Sequence, residues 1–424
     1  MSPTAPPDTR RAARRHLRPS DLRAAVQLAS QATQGVIDIT EGVHHSVHRQ
    51  LGLPGNAAPG QTRGLTGQIY QGIRGVAKLV GRGLDGVLDA LLPLVDDPTQ
   101  QAEGTAAREA VLAALNGVLG DRLLARGNPL AQAMELRFEG QALPLDAPAS
   151  VKQELGQAGP HLLLLVHGLC MNDTQWRRDG HDHGAFLSQA LGCAPVYLRY
   201  NSGRHISENG RELARQLEQL VAAWPVPLQR ISILGHSMGG LVARSAVQAA
   251  REAGLRWPGR LRELVFLGTP HHGAPLERAG HGVDLLLGAT PFSAPFTRLG
   301  QLRSEGITDL RHGHVVDADW RGRDRFAASA DPRPPLPLPA GVACFTVAAA
   351  LSGKRGLLAD RLTGDGLVPL NSALGQHAQP QRRLAFARNH QHIAYRTGHL
   401  GLLSSPEVAA RVLAWLQPEL PAEG

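Results

Sequence analysis

One stretch of this 424-residue chain, ISILGHSMGGLVAR at residues 231–244, constrains its fold more than any other. A run of β-branched and aliphatic residues ends at Gly235, and a helical pattern of small and apolar residues begins directly after Ser237. The G-x-S-x-G between them places a serine on a sharp turn from strand to helix. An ordinary glycine-rich turn would not need a strand before it and a helix after it. The stretch therefore predicts a nucleophilic serine at the carboxyl end of a buried strand.

Strands and helices alternate on both sides of this turn. After an antiparallel hairpin near residues 134–145, strands are predicted at 162–166, 194–200, 261–267, 342–347 and 382–386, with helices at 185–191, 207–224 and 405–416. This alternation is typical of an α/β fold with a mainly parallel, doubly wound sheet and its chemistry at the carboxyl ends of the strands. Residues 274–339 break the rhythm, which predicts a lid-like insertion.

The N-terminal part has a different pattern. Residues 1–19 are rich in proline and arginine and are predicted to be a disordered basic arm, followed by a helical hairpin or three-helix unit over residues 20–130. Its third helix is predicted at 105–124, and the catalytic domain at 131–420. Either this unit packs on the catalytic domain, or residues 20–125 contact a membrane surface. Packing is favoured because the polar faces are not especially cationic.

Composition limits the partners. The net charge is +8, but basic and aromatic residues do not interleave, which argues against nucleic acid. The three cysteines, Cys170, Cys193 and Cys344, are odd in number, which favours reduced thiols. No secretory leader or apolar segment of bilayer length is recognisable, so a cytoplasmic location, with membrane contact at most peripheral, is expected.

A serine nucleophile requires a base to accept its proton and an acid to orient that base. Asp365 lies between two glycines after the strand predicted at 342–347, so it is the preferred acid, ahead of Asp360 and Asp284. Three histidines, at 390, 392 and 399, follow the last predicted strand. Their order in the chain does not decide between them.

An oxyanion needs two N–H donors aimed at the place where charge develops. One is predicted to be the amide of Met238, directly after the serine, and the other the amide of Leu169, in the loop after the first long apolar strand. His167, in the same loop, is interpreted as a residue that orders it through hydrogen bonds.

Five motifs occur in order and carry a family resemblance: VHGL at 166–169, GHSMGG at 235–240, LGTPHHG at 267–273, GDGLVP at 364–369 and GHL at 398–400. Residues 134–418 thereby resemble bacterial lipases and esterases of the α/β-hydrolase superfamily, including the branch similar to GPI inositol-deacylases. The resemblance implies the α/β-hydrolase fold and a serine esterase with Ser237, Asp365 and His399 as its catalytic triad.

These inferences predict an enzyme that hydrolyses carboxylic esters with lipid-like or hydrophobic acyl groups and needs no cofactor. The residues expected at the substrate are His167, His236, Phe292, Phe296 and Leu299. The alternatives are acyl transfer, thioester or amide cleavage, or a non-catalytic helical protein that binds a membrane or a partner. No metal is expected, because adjacent histidines point apart on extended backbone and no calcium-binding aspartate pair is recognisable. The oligomeric state is left open.

Overall fold

The computed structural model describes residues 106–274, 304–322, 333–353 and 364–417. The predicted basic arm, the first two N-terminal helices and most of the predicted lid lie outside the described residues. So do three residues expected at the substrate, Phe292, Phe296 and Leu299.

Eight strands form one sheet in the order β2-β1-β4-β3-β5-β6-β7-β8. Their bounds are β1 Glu135–Phe138, β2 Gln141–Ala142, β3 His161–Val166, β4 Ala194–Arg199, β5 Arg230–His236, β6 Leu261–Leu267, β7 Ala343–Ala350 and β8 Gln391–Tyr395. Strand β1 is antiparallel to its neighbours β2 and β4, and the strands from β4 to β8 run parallel. The predicted mainly parallel sheet is confirmed.

Helices cover both faces of this sheet. They are α1 Ala106–Ala125, α2 Pro148–Leu155, α3 His183–Leu191, α4 Ile206–Ala222, α5 Met238–Glu252, α6 Glu305–His312, α7 Leu370–Ala373 and α8 Pro406–Leu416. Alternate residues of β3 enter different hydrophobic cores: Leu164 packs with side chains of α1, α4 and α5, and Leu165 with side chains of α3 and α8. Burial on both faces explains why β3 is apolar at nearly every position.

Helix α1 belongs to the first of these cores. Leu115 and Val118 are fully buried in it, although they precede the predicted domain boundary at residue 130. The observed helix matches the predicted third helix to within one residue at each end. The boundary itself stays a prediction.

The last strand was predicted at the wrong place. Residues 382–386 begin at the end of a short 3-10 turn. Leu384 and Phe386 lie close to Gly375, outside any strand. The true last strand, β8, is only partly buried because it lies at the edge of the sheet, and its sequence is QHIAY. An edge strand buries little and so lacks the apolar run that the prediction relied on.

The three cysteines are buried free thiols. Burial raises the pKa of Cys170 to about 12 and that of Cys193 to about 11. Within the described ranges, no helix combines the length and the apolar character needed to cross a lipid bilayer.

The described part of the insertion is held to the start of α4 by a buried aspartate. Asp309, on α6, bonds through its carboxylate to His205 Nδ1 at 3.0 Å and to His314 Nδ1 at 3.0 Å. His205 also stacks on Trp320, with ring centroids 3.6 Å apart. Burial alone would lower the pKa of His205, but its hydrogen bond to Asp309 and the charges of Asp309 and Glu305 outweigh burial and raise that pKa.

Stability should therefore depend on pH through His205. A histidine whose pKa is raised on folding contributes stability below its unfolded pKa of about 6.5, and that contribution is lost as pH rises through the folded pKa. His205→Gln removes the titrating group, so we expect the difference in Tm between wild type and variant to be largest near pH 6 and to shrink by pH 9. Thermal unfolding across this range measures it. A difference that is independent of pH would show that protonation of His205 contributes no stability.

Candidate active site

The turn between β5 and α5 carries Ser237 in a strained conformation. Its φ is +54° and its ψ is −123°, which a residue with a Cβ rarely adopts. The backbone N–H of Ser237 donates to the carbonyl of Leu267 at 2.8 Å, which fixes the turn to the carboxyl end of β6. The strain is thus maintained by the neighbouring strand, and this is typical of functional turns.

The glycines around Ser237 allow backbones to touch. A Cβ at Gly235 would lie 2.7 Å from the Cα of Gly240, and a Cβ at Gly239 would lie 2.1 Å from the carbonyl oxygen of Val166. The start of α5 therefore packs directly on β5 and on the end of β3, as the G-x-S-x-G motif predicts.

Gly239→Ala should destabilise the protein markedly. Overpacking typically costs about 1–3 kcal/mol, and here the added methyl meets backbone oxygens that cannot rotate away. We expect a fall in Tm of several degrees, at about 2–4 °C per kcal/mol. Gly259→Ala is the matched control, because a Cβ at Gly259 meets nothing within 4 Å. Equal melting temperatures for the two variants would contradict the close contact.

His399 and Asp365 form a buried pair beside this turn. His399 Nδ1 lies 2.7 Å from Asp365 Oδ2, and each residue is 1% exposed. The other carboxylate oxygen, Oδ1, accepts the N–H groups of Leu367 at 2.9 Å and Val368 at 2.7 Å. Residues 364–368 therefore wrap around the carboxylate and fix its orientation toward the histidine.

This pairing determines which nitrogen of His399 carries the proton. An ionised carboxylate only accepts hydrogen bonds, so Nδ1 of His399 donates and Nε2 holds a lone pair in the neutral ring. Nε2 is buried and has no hydrogen-bond partner among the described residues. It is therefore available to accept a proton.

Contacts to the turn fix the position of the His399 ring. His236, directly before Ser237, donates from Nε2 to the carbonyl oxygen of His399 at 3.2 Å, and the two rings lie 4.8 Å apart. Burial, and then the proximity of His399, hold the pKa of His236 well below its usual value. Gly268, after β6, passes under the His399 ring, since a Cβ there would lie 3.2 Å from Nδ1.

The loop after β3 also reaches the serine. A Cβ at Gly168 would lie 3.1 Å from the Cβ of Ser237, so Leu169 directly follows a residue that closely approaches the serine. Met238 is the first residue of α5, and its N–H has no partner within the helix. The two predicted oxyanion donors thus belong to the loop that closely approaches Ser237 and to the helix that begins directly after it.

His167 orders this loop from a fully buried position. Its Nδ1 lies 2.9 Å from the carbonyl oxygen of Gly168, and its ring stacks on Tyr200 at 4.3 Å. The hydroxyl of Tyr200 donates to the carbonyl of His167 at 2.9 Å. Burial lowers the pKa of His167 to about 4, so its ring is neutral. Tyr200 was missed from the sequence, although its position directly after β4 was a usable signal.

The two alternative histidines lie elsewhere. His390 precedes β8 and contacts the carbonyl of Cys344, near the start of β7, at 3.2 Å. His392 lies near the start of β8 and bonds to Glu407 Oε1 at 2.9 Å. Only His399 follows β8, because the strand begins nine residues later than predicted. The structure therefore holds Asp365 and His399 together, with His399 in contact with His236 directly before Ser237, whereas His390 and His392 lie near the start of β8, at the other end of that strand.

The other histidine clusters have protein partners. His181 and His183 bond to each other at 3.1 Å, and His183 bonds to the carbonyl of Leu402 at 2.9 Å. His271 lies between the rings of Phe266 and Phe386. In the part of the chain that the structure describes, no group of three or more histidine, cysteine or acidic side chains is arranged to hold a metal ion.

Comparison with known proteins finds a matching family model, a curated relative and solved structures. A family model for the PGAP1-like alpha/beta domain matches residues 158–332. The chain is 29% identical to the esterase PIR7B of Oryza sativa subsp. japonica over 139 aligned positions, with 29% of this chain and 46% of that protein covered. It thus spans less than half of the length of this curated relative.

The solved structures that this chain matches include two lipases. The mature form of lipase BlEst2 from Bacillus licheniformis is 18% identical, with 61% of this chain and 92% of that one covered at a TM-score of 0.39. Lipase B of Aspergillus fumigatus is 11% identical, with 80% of each chain covered at a TM-score of 0.38.

Proposed function

We propose that this chain, which has the α/β-hydrolase fold, is a serine hydrolase that cleaves carboxylic esters with Ser237 as nucleophile, His399 as base and Asp365 as the acid that orients the base. One observation carries the proposal: His399 is held by Asp365 at 2.7 Å through Nδ1, while its buried Nε2 has no partner in the described ranges. A histidine in this tautomer, next to a strained serine, is suited to general base catalysis.

The chemistry follows from these positions. His399 Nε2 takes the proton of Ser237 as Oγ attacks the ester carbonyl carbon, and the electrons of the C=O bond move to the oxygen. The amides of Leu169 and Met238 stabilise this oxyanion, a contribution of about 3–4 kcal/mol per donor in such sites. Collapse of the intermediate breaks the bond to the alcohol, which leaves with the proton from His399. Water then attacks the acyl-enzyme by the same route and releases the acid.

The substrate class rests on the predicted lid. Phe292, Phe296 and Leu299 are apolar residues of the insertion, and a lid of this composition suits a lipid-like or hydrophobic acyl group. The proposed substrate is therefore a small-molecule ester with such an acyl group.

His236 contacts His399, so its role in this proposal is to hold the base in place rather than to bind substrate. Peripheral membrane contact through residues 20–125 and a cytoplasmic location remain part of the proposal.

The same three residues support thioester cleavage, because a thioester also passes through a tetrahedral oxyanion. The expected preference is for oxygen esters. Comparison of kcat/KM for an oxygen ester and a thioester of the same acyl chain separates the two, and a clear preference for the thioester would reassign the substrate class.

A chain-length series tests the proposal most directly. Purified protein is incubated with p-nitrophenyl esters from acetate to palmitate and, separately, with a fluorophosphonate probe. We expect labelling and a kcat/KM that rises from acetate to the longer acyl chains. If kcat/KM is highest with acetate, only the proposal of a hydrophobic acyl group is overturned. Absence of both labelling and turnover would overturn the proposal that this chain is an enzyme and would favour the non-catalytic alternative.

A further inference from the structure

Helix α1 packs directly against the loop after β3, here named the oxyanion loop, residues 167–172. The contact is made without a side chain on the helix: a Cβ at Gly117 would lie 2.3 Å from Cys170 Sγ and 2.9 Å from both the Cα and the N of Cys170. Glycine inside a helix costs about 1 kcal/mol relative to alanine. Close approach of the two backbones offsets this cost.

A hydrogen bond ties the end of the same loop to the helix. Asn172 donates from Nδ2 to the carbonyl oxygen of Glu109 at 3.0 Å. Its Oδ1 faces the other way and accepts the backbone N–H of Thr174 at 3.0 Å and the Thr174 hydroxyl at 2.8 Å. The oxygen of this amide therefore binds Thr174, and only its nitrogen binds the helix.

The helix is itself anchored near the loop. Glu109 Oε2 lies 2.5 Å from Nη1 of Arg199, at the end of β4. Ser304, before α6, donates to the carbonyl of Gly117 at 2.7 Å, and Asn201, after β4, donates to the carbonyl of Gly120 at 2.9 Å. These bonds fix α1 to the carboxyl edge of the sheet, where the candidate active site lies.

The loop needs such support because its backbone is strained beside Leu169. Cys170 has a φ of +59°, which is unfavourable for a residue with a Cβ. On the other side its N–H donates to the hydroxyl of Ser202 at 3.1 Å. Cys170 is therefore held between α1 and the loop after β4, and its conformation determines where the preceding peptide is placed.

From these contacts we infer that α1 positions the oxyanion hole, with Gly117 and Asn172 as positioning residues for the Leu169 amide. The inference rests on the proposed function, in which that amide stabilises the oxyanion. Helix α1 lies outside residues 158–332, so the inference assigns a part in catalysis to a segment that the family match does not include.

The first test is Gly117→Ala. The added methyl displaces Cys170, and with it Leu169, from its position relative to the serine, and misplacement by about 1 Å costs on the order of 100-fold in rate. We expect kcat to fall by about 10- to 100-fold, with KM within threefold, after active sites have been counted by fluorophosphonate titration. A trifluoromethyl ketone forms an oxyanion on the serine, so its inhibition constant should weaken by the same factor as kcat/KM.

A second variant keeps the inference testable if Gly117→Ala does not fold. Asn172→Asp retains the acceptor for Thr174 and replaces the donor to Glu109 with a charged oxygen that cannot donate to that carbonyl, and we expect the same pattern at a smaller amplitude. Asn116→Asp is its matched control. Asn116 is buried in α1 and donates to the carbonyl of Leu130 at 2.8 Å, away from the oxyanion loop. It should lose stability without change in kcat per active site or in ketone inhibition.

The outcomes separate this inference from the proposed function. If the wild type hydrolyses esters and both positioning variants have a kcat per active site within twofold of it, the role of α1 is overturned. The proposed hydrolase activity then still stands. The same loss of kcat per active site in Asn116→Asp would also overturn it, because any disturbance of α1 would then suffice. Wild type that neither labels nor turns over ester contradicts the proposed function itself.

Discussion

Ser237→Ala is expected to abolish ester hydrolysis, with kcat lowered by about 10⁵- to 10⁶-fold, since residual catalysis then comes only from binding and the oxyanion hole. Fluorophosphonate labelling should disappear with it. The fold should persist, because alanine keeps the Cβ and the bond that fixes the turn is made by the backbone N–H, to the carbonyl of Leu267. Steady-state kinetics, probe labelling and Tm on one preparation measure all three.

Ser245→Ala is the matched control for this prediction. Ser245 is buried on the same helix, α5, where it packs against Gly210. It should keep activity and labelling close to wild type. Labelling that persists in Ser237→Ala, or that is lost in Ser245→Ala, would place the nucleophile elsewhere.

The serine turn was predictable because all of its determinants are local. Nearly all of the strand, the turn and the start of the helix lie within fourteen consecutive residues, and the glycines of the motif are required by contacts within that unit or with the end of β3. The central strands were predicted for a related reason. Their burial on both faces leaves continuous apolar runs, such as that of β3.

The position of the base could not be settled by the same reasoning. The edge strand β8 is only partly buried, so its sequence carries a weak signal, and an apolar pair at Leu384 and Phe386 imitates a strand nine residues earlier. With the strand placed there, three histidines follow it. With the strand at Gln391–Tyr395, only His399 does.

Contacts between distant segments were beyond the sequence. Gly117 and Cys170 are 53 positions apart, and His205 and Asp309 are 104 apart. Each residue alone has an ordinary interpretation, a helix glycine or a surface histidine. Their roles depend on a partner that no local pattern identifies.

His399→Ala is expected to cost about as much as Ser237→Ala, because the serine and its base act as one unit whose losses do not add. The double variant should therefore be no slower than either single variant. Asp365→Asn should lower kcat by about 10⁴-fold, because an amide that donates to Nδ1 would favour the wrong tautomer of His399.

His392→Ala is the control that separates this assignment from its rival. His392 is bonded to Glu407 near the start of β8, and it was one of the candidates that sequence order could not exclude. It should retain most of the wild-type kcat. A larger loss in His392→Ala than in His399→Ala would contradict the assignment of the base. The outcome we expect is decisive for a physical reason: of the three candidate histidines, only His399 has one nitrogen held by a buried carboxylate and, among the described residues, no partner at the other nitrogen.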